Sequence, residues 1–140
     1  MTDPRLGLTV THRRYVPHAH AHYGGALVDG AYTLGLFGDV ATEVAIRADG
    51  DEGLLAGYSE VRFLDAVRAG DVLEATCEVV RVGRRSRDLR CWADVVARAD
   101  PARGPSAARV LDTPLRVVEA LATLVVPAPA SDPLRQGIDR

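Results

Sequence analysis

Residues 17–49, P-H-A-H-A-H-Y-G-G-A-L-V-D-G-A-Y-T-L-G-L-F-G-D-V-A-T-E-V-A-I-R-A-D, decide how the rest of the chain is read. The run opens with Pro17 and three alternating histidines, His18, His20 and His22, and passes through Gly24 and Gly25 into helical spacing. At about 100° per residue, Leu27, Ala31, Leu34, Ala41 and Ala45 fall on one side, and Asp29, Tyr32, Leu36, Asp39 and Glu43 on the other. The spacing predicts one helix from about Gly25 to Arg47, with an apolar face and a stripe carrying three carboxylates. Its start follows a histidine and two glycines, where unpaired backbone N–H groups and the positive end of the helix dipole gather. Glycines let a carbonyl oxygen approach the backbone, and free N–H groups polarise it as an oxyanion hole does. His22 just before the helix, or Asp29 on its second turn, is then in position to move protons. The plainer reading, a Gly-Gly turn before a helix with a solvated acidic face, uses the same residues.

Outward from this helix the chain is mostly strand. Residues 6–16 are β-rich and end at Pro17, next to the histidine loop. The turn-rich A-D-G-D-E-G at 48–53 separates the helix from a second strand over 54–67, in which Tyr58, Glu60 and Arg62 alternate with Ser59, Val61 and Phe63. A turn at 69–71 leads to strands over 72–82 and 86–99, joined at 83–86. Their alternation fits one hairpin register, with Cys77 opposite Cys91 and Val79 opposite Leu89, so both cysteines read as small core residues. A loop at 100–106 precedes a last strand over 107–126, where Pro114 demands an edge position or a bulge. Residues 1–127 read as one domain and 128–140 as a Pro-rich mobile tail.

Strand, long helix, then four strands define an α+β chain with five strands and one helix. A single helix covers such a sheet only if the sheet curls around it, which is the hotdog arrangement. A curled sheet still has edges, so the smallest stable unit is expected to be a homodimer, alone or within a larger assembly.

Composition narrows the function. The 140 residues carry a formal charge of −2, giving no reason to expect nucleic acid as a partner. All 17 basic residues are arginine, so Schiff-base chemistry by a lysine is excluded. No apolar run approaches the roughly 20 residues needed to span a bilayer, and the first ten residues lack the apolar core of a signal peptide. A cytoplasmic location without a membrane partner is expected, with two reduced cysteines.

F-L-D-A-V-R-A-G-D (63–71) and H-Y-G-G (22–25) resemble the strand–turn signature and helix opening of hotdog acyl-CoA enzymes. A-H-Y-G-G-A-L-V-D-G-A (21–31), L-F-G-D-V-A-T-E (36–43), D-G-D-E-G-L (49–54) and T-L-V-V-P (123–127), in that order and spacing, resemble more narrowly the 3-aminobutyryl-CoA ammonia lyase family of lysine degradation. The chain departs from that pattern at Ala26 and in its tail. The resemblance implies reversible conversion of a 3-aminoacyl-CoA to the 2-enoyl-CoA and ammonia, with no cofactor other than the coenzyme A of the substrate. It implies oxyanion contacts from the amides near Gly24 and Gly25, His22 or Asp29 as base, and Asp29 as the cradle of the ammonium. Asp39 lies about 15 Å beyond Asp29 along a helix, so Asp39 and Glu43 are expected to be structural or to serve a neighbouring subunit. A thioesterase, an enoyl-CoA hydratase and a non-catalytic acyl-CoA binder are alternatives on the same scaffold.

Arg81, Arg84, Arg85, Arg87 and Arg90 cluster at the hairpin turn. They are expected to seat the coenzyme A phosphates, with Ser86, Arg87 and Arg84 foremost; a solvated turn is the competing reading. Three histidines on one side of an extended segment are capable of binding zinc, but no carboxylate stands at ligand spacing, and no metal is assigned.

Overall fold

The structure is a computed structural model describing residues 2–128. Seven strands and one α-helix follow in chain order: β1 (Thr9–Tyr15), β2 (Leu27–Val28), α1 (Gly30–Asp49), β3 (Leu54–Phe63), β4 (Val67–Arg68), β5 (Val72–Val82), β6 (Ser86–Ala99) and β7 (Ala108–Val125). Five of them form one antiparallel sheet in the order β1-β5-β6-β7-β3, and β2 pairs with β4 in a separate two-stranded ribbon. The sheet packs around α1, whose Phe37, Val40 and Val44 are wholly buried against Leu73, Ala75, Leu89 and Leu124. Residues 129–140, which include nearly all of the expected tail, lie outside the described residues.

The hairpin forms in the expected register. Cys77 stands opposite Cys91 and Val79 opposite Leu89. The two thiols are free and buried, with their sulfurs 3.0 Å apart. That contact and burial push the Cys77 thiol pKa up, which keeps it protonated and unreactive. Pro114 sits in a bulge: the β6–β7 ladder steps from Ala97↔Val110 to Val95↔Leu115, and residues 111–114 loop out between.

Two strand readings are corrected. The segment 54–67 is not one strand: β3 ends at Phe63 and Val67 joins the ribbon instead. Its strict alternation also fails, because the β3–β7 register shifts between Leu55 and Gly57 and again between Tyr58 and Glu60. Each bulge resets the two-residue period, so Tyr58 and Val61 both pack on the core. Tyr58 also donates to the Leu34 carbonyl at 2.8 Å, tying β3 to the helix.

The helix is corrected in both start and phase. It begins at Gly30, not Gly25, and Asp29 is its N-cap. After the turn at Gly24–Ala26, in which Ala26 also has a positive φ of 61, the backbone is extended over Leu27 to Asp29, because Leu27 and Val28 pair with Arg68 and Val67 and Val28 is buried. Gly25 makes the turn into this segment with φ +72. The buried stripe is Thr33, Leu36, Phe37, Val40, Ala41, Val44 and Ala45. It is rotated away from the expected apolar face toward the bulkiest apolar side chains, since burial energy scales with the area removed from water. Leu36 therefore points inward, while Ala31 is exposed. Gly50, with φ +68, closes the helix by donating to the Ile46 carbonyl.

Candidate active site

A cleft of about 460 Å³ opens at the amino end of α1, lined by Tyr23, Val28, Asp29, Gly30, Ala31, Thr33, Phe63, Asp65, Ala66, Val67 and Val118. Three parts of the chain meet there. The ribbon β2–β4 supplies Val28 and Val67, both buried, as the apolar floor together with Val118 of β7. The first turn of α1 supplies Gly30 and Ala31, whose N–H groups lie at the unpaired start of the helix. The end of β3 supplies Phe63, which stays 58% exposed at the rim. Phe63 packs closely on Gly30: a Cβ there would meet its ring carbon at 2.4 Å, so a larger residue at this position would displace the exposed ring.

The loop carrying Asp65, Ala66 and Val67 is held from beneath. Asp71, completely buried, accepts from the Arg68 amide at 2.8 Å and from both Nε and Nη2 of Arg98, at 2.9 and 2.8 Å. Arg98 Nη2 also donates to the Ala66 carbonyl at 2.9 Å. The hydrogen bonds to the Asp71 carboxylate raise the Arg98 pKa further, so its guanidinium stays charged. Nothing in the spacing of Asp71 and Arg98 announces this brace; the fold brings together residues 27 positions apart.

Asp29 faces the cleft with an unusual freedom. It occupies the N-cap position, yet its side chain makes no cap hydrogen bond. Among the described residues it also enters no ion pair. An aspartate there normally binds the N2 or N3 amide, so both its carboxylate and the first helix amides remain available to a ligand. Thr33, one turn deeper and 1% exposed, has a hydroxyl with no hydrogen-bond partner.

The remaining expected site residues are spread around this cleft. Gly24 and Gly25 are exposed in a 3₁₀ turn, and their amides are not those of the α-helix start. His22 is exposed and lies outside the lining of the cleft; its ring stands edge-on to Tyr23, 4.6 Å between centroids, and its backbone amide donates to Leu27. His18 and His20 belong to a 3₁₀ turn rather than an extended segment, so the three imidazoles diverge: His18 lies against Gly70 and His20 against Tyr32. Among the described residues no cluster of His, Cys, Asp and Glu has the geometry of a metal site.

Asp39 is exposed. Glu43 accepts from His12 and Arg47 at 2.8 and 2.7 Å, and these bonds, Arg47 first, hold its carboxyl below the usual range.

At the hairpin turn the expectation for Arg87 is corrected. Its guanidinium is buried, 3% exposed, and chelates Asp49 through Nε and Nη2 at 3.0 and 2.8 Å. Its Nη1 donates to the carbonyls of Gly83 and Ser86. With four of its five N–H groups committed and its side chain buried, Arg87 closes the turn onto the helix and does not face solvent where a phosphate would sit. Arg84 is exposed and Ser86 partly so.

One long helix in a curled antiparallel sheet, with a cleft at the helix amino end, defines a hotdog protein of the thioesterase class. The thioesterase superfamily model matches residues 25–91. The chain is 49% identical over 109 residues to 3-aminobutyryl-CoA ammonia lyase of Acetoanaerobium sticklandii, across 76% of this chain and 85% of that protein. It therefore belongs to the 3-aminobutyryl-CoA ammonia lyase family. The structure of β-alanyl-CoA:ammonia lyase from Clostridium propionicum superposes with a TM-score of 0.81 at 31% identity, over 86% of each chain. A hexameric hotdog thioesterase of Campylobacter jejuni, 18% identical with a TM-score of 0.67 over 91% of this chain and 84% of that one, shares the fold. No helix among the described residues is long and apolar enough to cross a membrane.

Proposed function

We propose that this chain catalyses the reversible elimination of ammonia from a 3-aminoacyl-CoA, 3-aminobutyryl-CoA first among them, to give the 2-enoyl-CoA. The observation that carries this reading is the uncapped Asp29 carboxylate beside open helix amides on one short cleft. The thioester carbonyl oxygen points at the Gly30 and Ala31 amides, which stabilise the negative charge that builds on it as C2 loses its proton. Asp29 takes that proton. The C2–H electron pair becomes the C2=C3 double bond, the C3–N bond breaks, and ammonia departs with its electron pair. Asp29 then returns the proton to ammonia, which leaves as ammonium. The reaction is redox-neutral and draws only on groups of the chain, with coenzyme A entering as part of the substrate.

Relative to the sequence-based expectation, the oxyanion contacts move from Gly24 and Gly25 to the true start of the helix. Of His22 and Asp29, Asp29 is the one on the cleft wall and takes the role of base. Gly24 and Gly25 form the exposed turn between Tyr23 and Val28 of the cleft lining, and the His22 ring packs edge-on against Tyr23. Arg84 and Ser86, without Arg87, lie beside the carboxyl end of α1, about 30 Å along the helix from the cleft, and are the candidates for the coenzyme A phosphates of a substrate seated in a neighbouring subunit's cleft. The working unit is a homodimer or a dimer-based assembly joined along β3, whose outer edge is unpaired and bears Leu54 and Phe63 at 75% and 58% exposure.

Purified protein incubated with 3-aminobutyryl-CoA is expected to release ammonia and form crotonyl-CoA in equal amounts, with no free thiol. Thiol release without ammonia would make the chain a thioesterase instead.

A further inference from the structure

The hydroxyl of Thr33 is the one buried side-chain polar atom without a partner among the described residues. Its isolation is a matter of position, not of residue type. Helical threonines commonly donate to the carbonyl four residues back. Thr42 does so in this same helix, donating to Gly38 at 2.9 Å. Thr33 has Asp29 four residues back, and the Asp29 carbonyl accepts instead from the Tyr32 amide at 3.2 Å. Thr33 is among the residues that line the cleft, with Val28, Val67 and Val118, and its hydroxyl is buried beneath the cleft surface. A lone hydroxyl on an otherwise apolar floor is costly unless an entering molecule satisfies it.

Resting on the lyase reading above, we propose that Thr33 is a specificity-determining residue that hydrogen-bonds the nitrogen on C3 of the acyl chain. Geometry favours that atom over the thioester oxygen. The oxygen is taken by amides at the first turn of α1. Thr33 lies one turn deeper, about 5 Å along the axis, and the substrate nitrogen is separated from the carbonyl by the C1–C2–C3 backbone. The three valines then receive the hydrocarbon end of a short acyl chain. Asp65, whose Oδ1 is occupied by the Ala66 amide, leaves Oδ2 at the mouth of the same cleft to balance the positive charge. A hydroxyl suits a group that changes protonation state: it accepts from the ammonium N–H, and it can also donate to departing ammonia. A hydroxyl placed to bond the nitrogen also selects for it, because a ligand without that group leaves the buried hydroxyl unpaired.

The test is Thr33→Val, which keeps the shape and removes the hydroxyl, beside Thr33→Ser, which keeps the hydroxyl. Four quantities are measured on the full chain: kcat and KM for ammonia release from 3-aminobutyryl-CoA, the Kd of butyryl-CoA, which lacks the amine, and Tm. Thr33→Val should lower kcat/KM by about 10- to 100-fold, leave butyryl-CoA affinity unchanged and leave Tm unchanged or raised; Thr33→Ser should restore most of the activity. Full activity in Thr33→Val, or an equal loss of butyryl-CoA binding, overturns the assignment while the lyase reading stands. A wild-type protein that releases no ammonia overturns the lyase reading itself, and this inference with it.

Discussion

The two ends of α1 treat polar groups in opposite ways. At the carboxyl end, Asp49 is gripped by Arg87 and by Arg5, whose Nη1 reaches it at 2.7 Å, while Arg5 also clasps Asp3. An acid at a helix C-terminus is unfavourable to the dipole, and two guanidiniums compensate for it. At the amino end, Asp29 has the favourable side of the dipole and an ideal capping position, yet its side chain makes no cap hydrogen bond, and the Thr33 hydroxyl has no partner among the described residues. A chain selected for stability alone would satisfy both ends. On the proposed function, the carboxyl end is architecture and the amino end is where a ligand would complete the structure.

This contrast breaks most sharply at Asp29. Asp29→Asn should lower ammonia release by about 100- to 10,000-fold, the usual worth of a general base. Asparagine caps helices as well as aspartate does, so thermal stability should hold or rise. Lost stability together with lost activity would turn Asp29 into a structural residue. Arg87→Ala should do the reverse. Removing one partner of a buried ion pair costs about 3–5 kcal/mol, which denaturant titration will measure, whereas kcat of the remaining folded protein should be close to that of the wild type.

Acid offers a milder probe of the same end. Burial by itself raises the Asp49 pKa, but the bonds from Arg87 and Arg5 outweigh it and leave it below the usual range. A carboxyl with a depressed folded pKa contributes stability that is present above its unfolded value of about 4 and is lost as pH falls through the folded value. The acid limb of unfolding should therefore be shallower in Arg87→Ala than in the wild type. The smallest effect is expected midway along the helix: Glu43→Gln should leave the deamination rate unchanged, with only a slight change in Tm, because the Glu43 ion pairs lie at the surface.

Much of the architecture was legible in local patterns. The hairpin register followed from alternation on either side of the 83–86 turn, and the break at Pro114 from its missing N–H. The candidate site was legible only in part. Asp29 was named and does line the cleft, but helical spacing ran through Leu27 and Val28, which apolar periodicity cannot tell from a helix turn. Their pairing with β4, some 40 residues away, holds them extended and moves the helix start to Gly30. Thr33 left no trace, since a threonine within a helix stands out only once its neighbours are known. Phe63 and Asp65 stood inside a family-like motif without a stated role, and the Asp71–Arg98 brace carried no signal at all.

The sequence by itself determined the order of the helix and the five strands of the main sheet, the hairpin pairing and the family, because those depend on residues close in the chain or on motifs in fixed order. Tertiary structure alone decided where the helix begins, that Arg87 is buried against Asp49, and that Asp29 and Thr33 line one cleft. The physical reason is that a polar group's role depends on whether it finds a partner on folding, and those partners come from strands and loops distant in the chain.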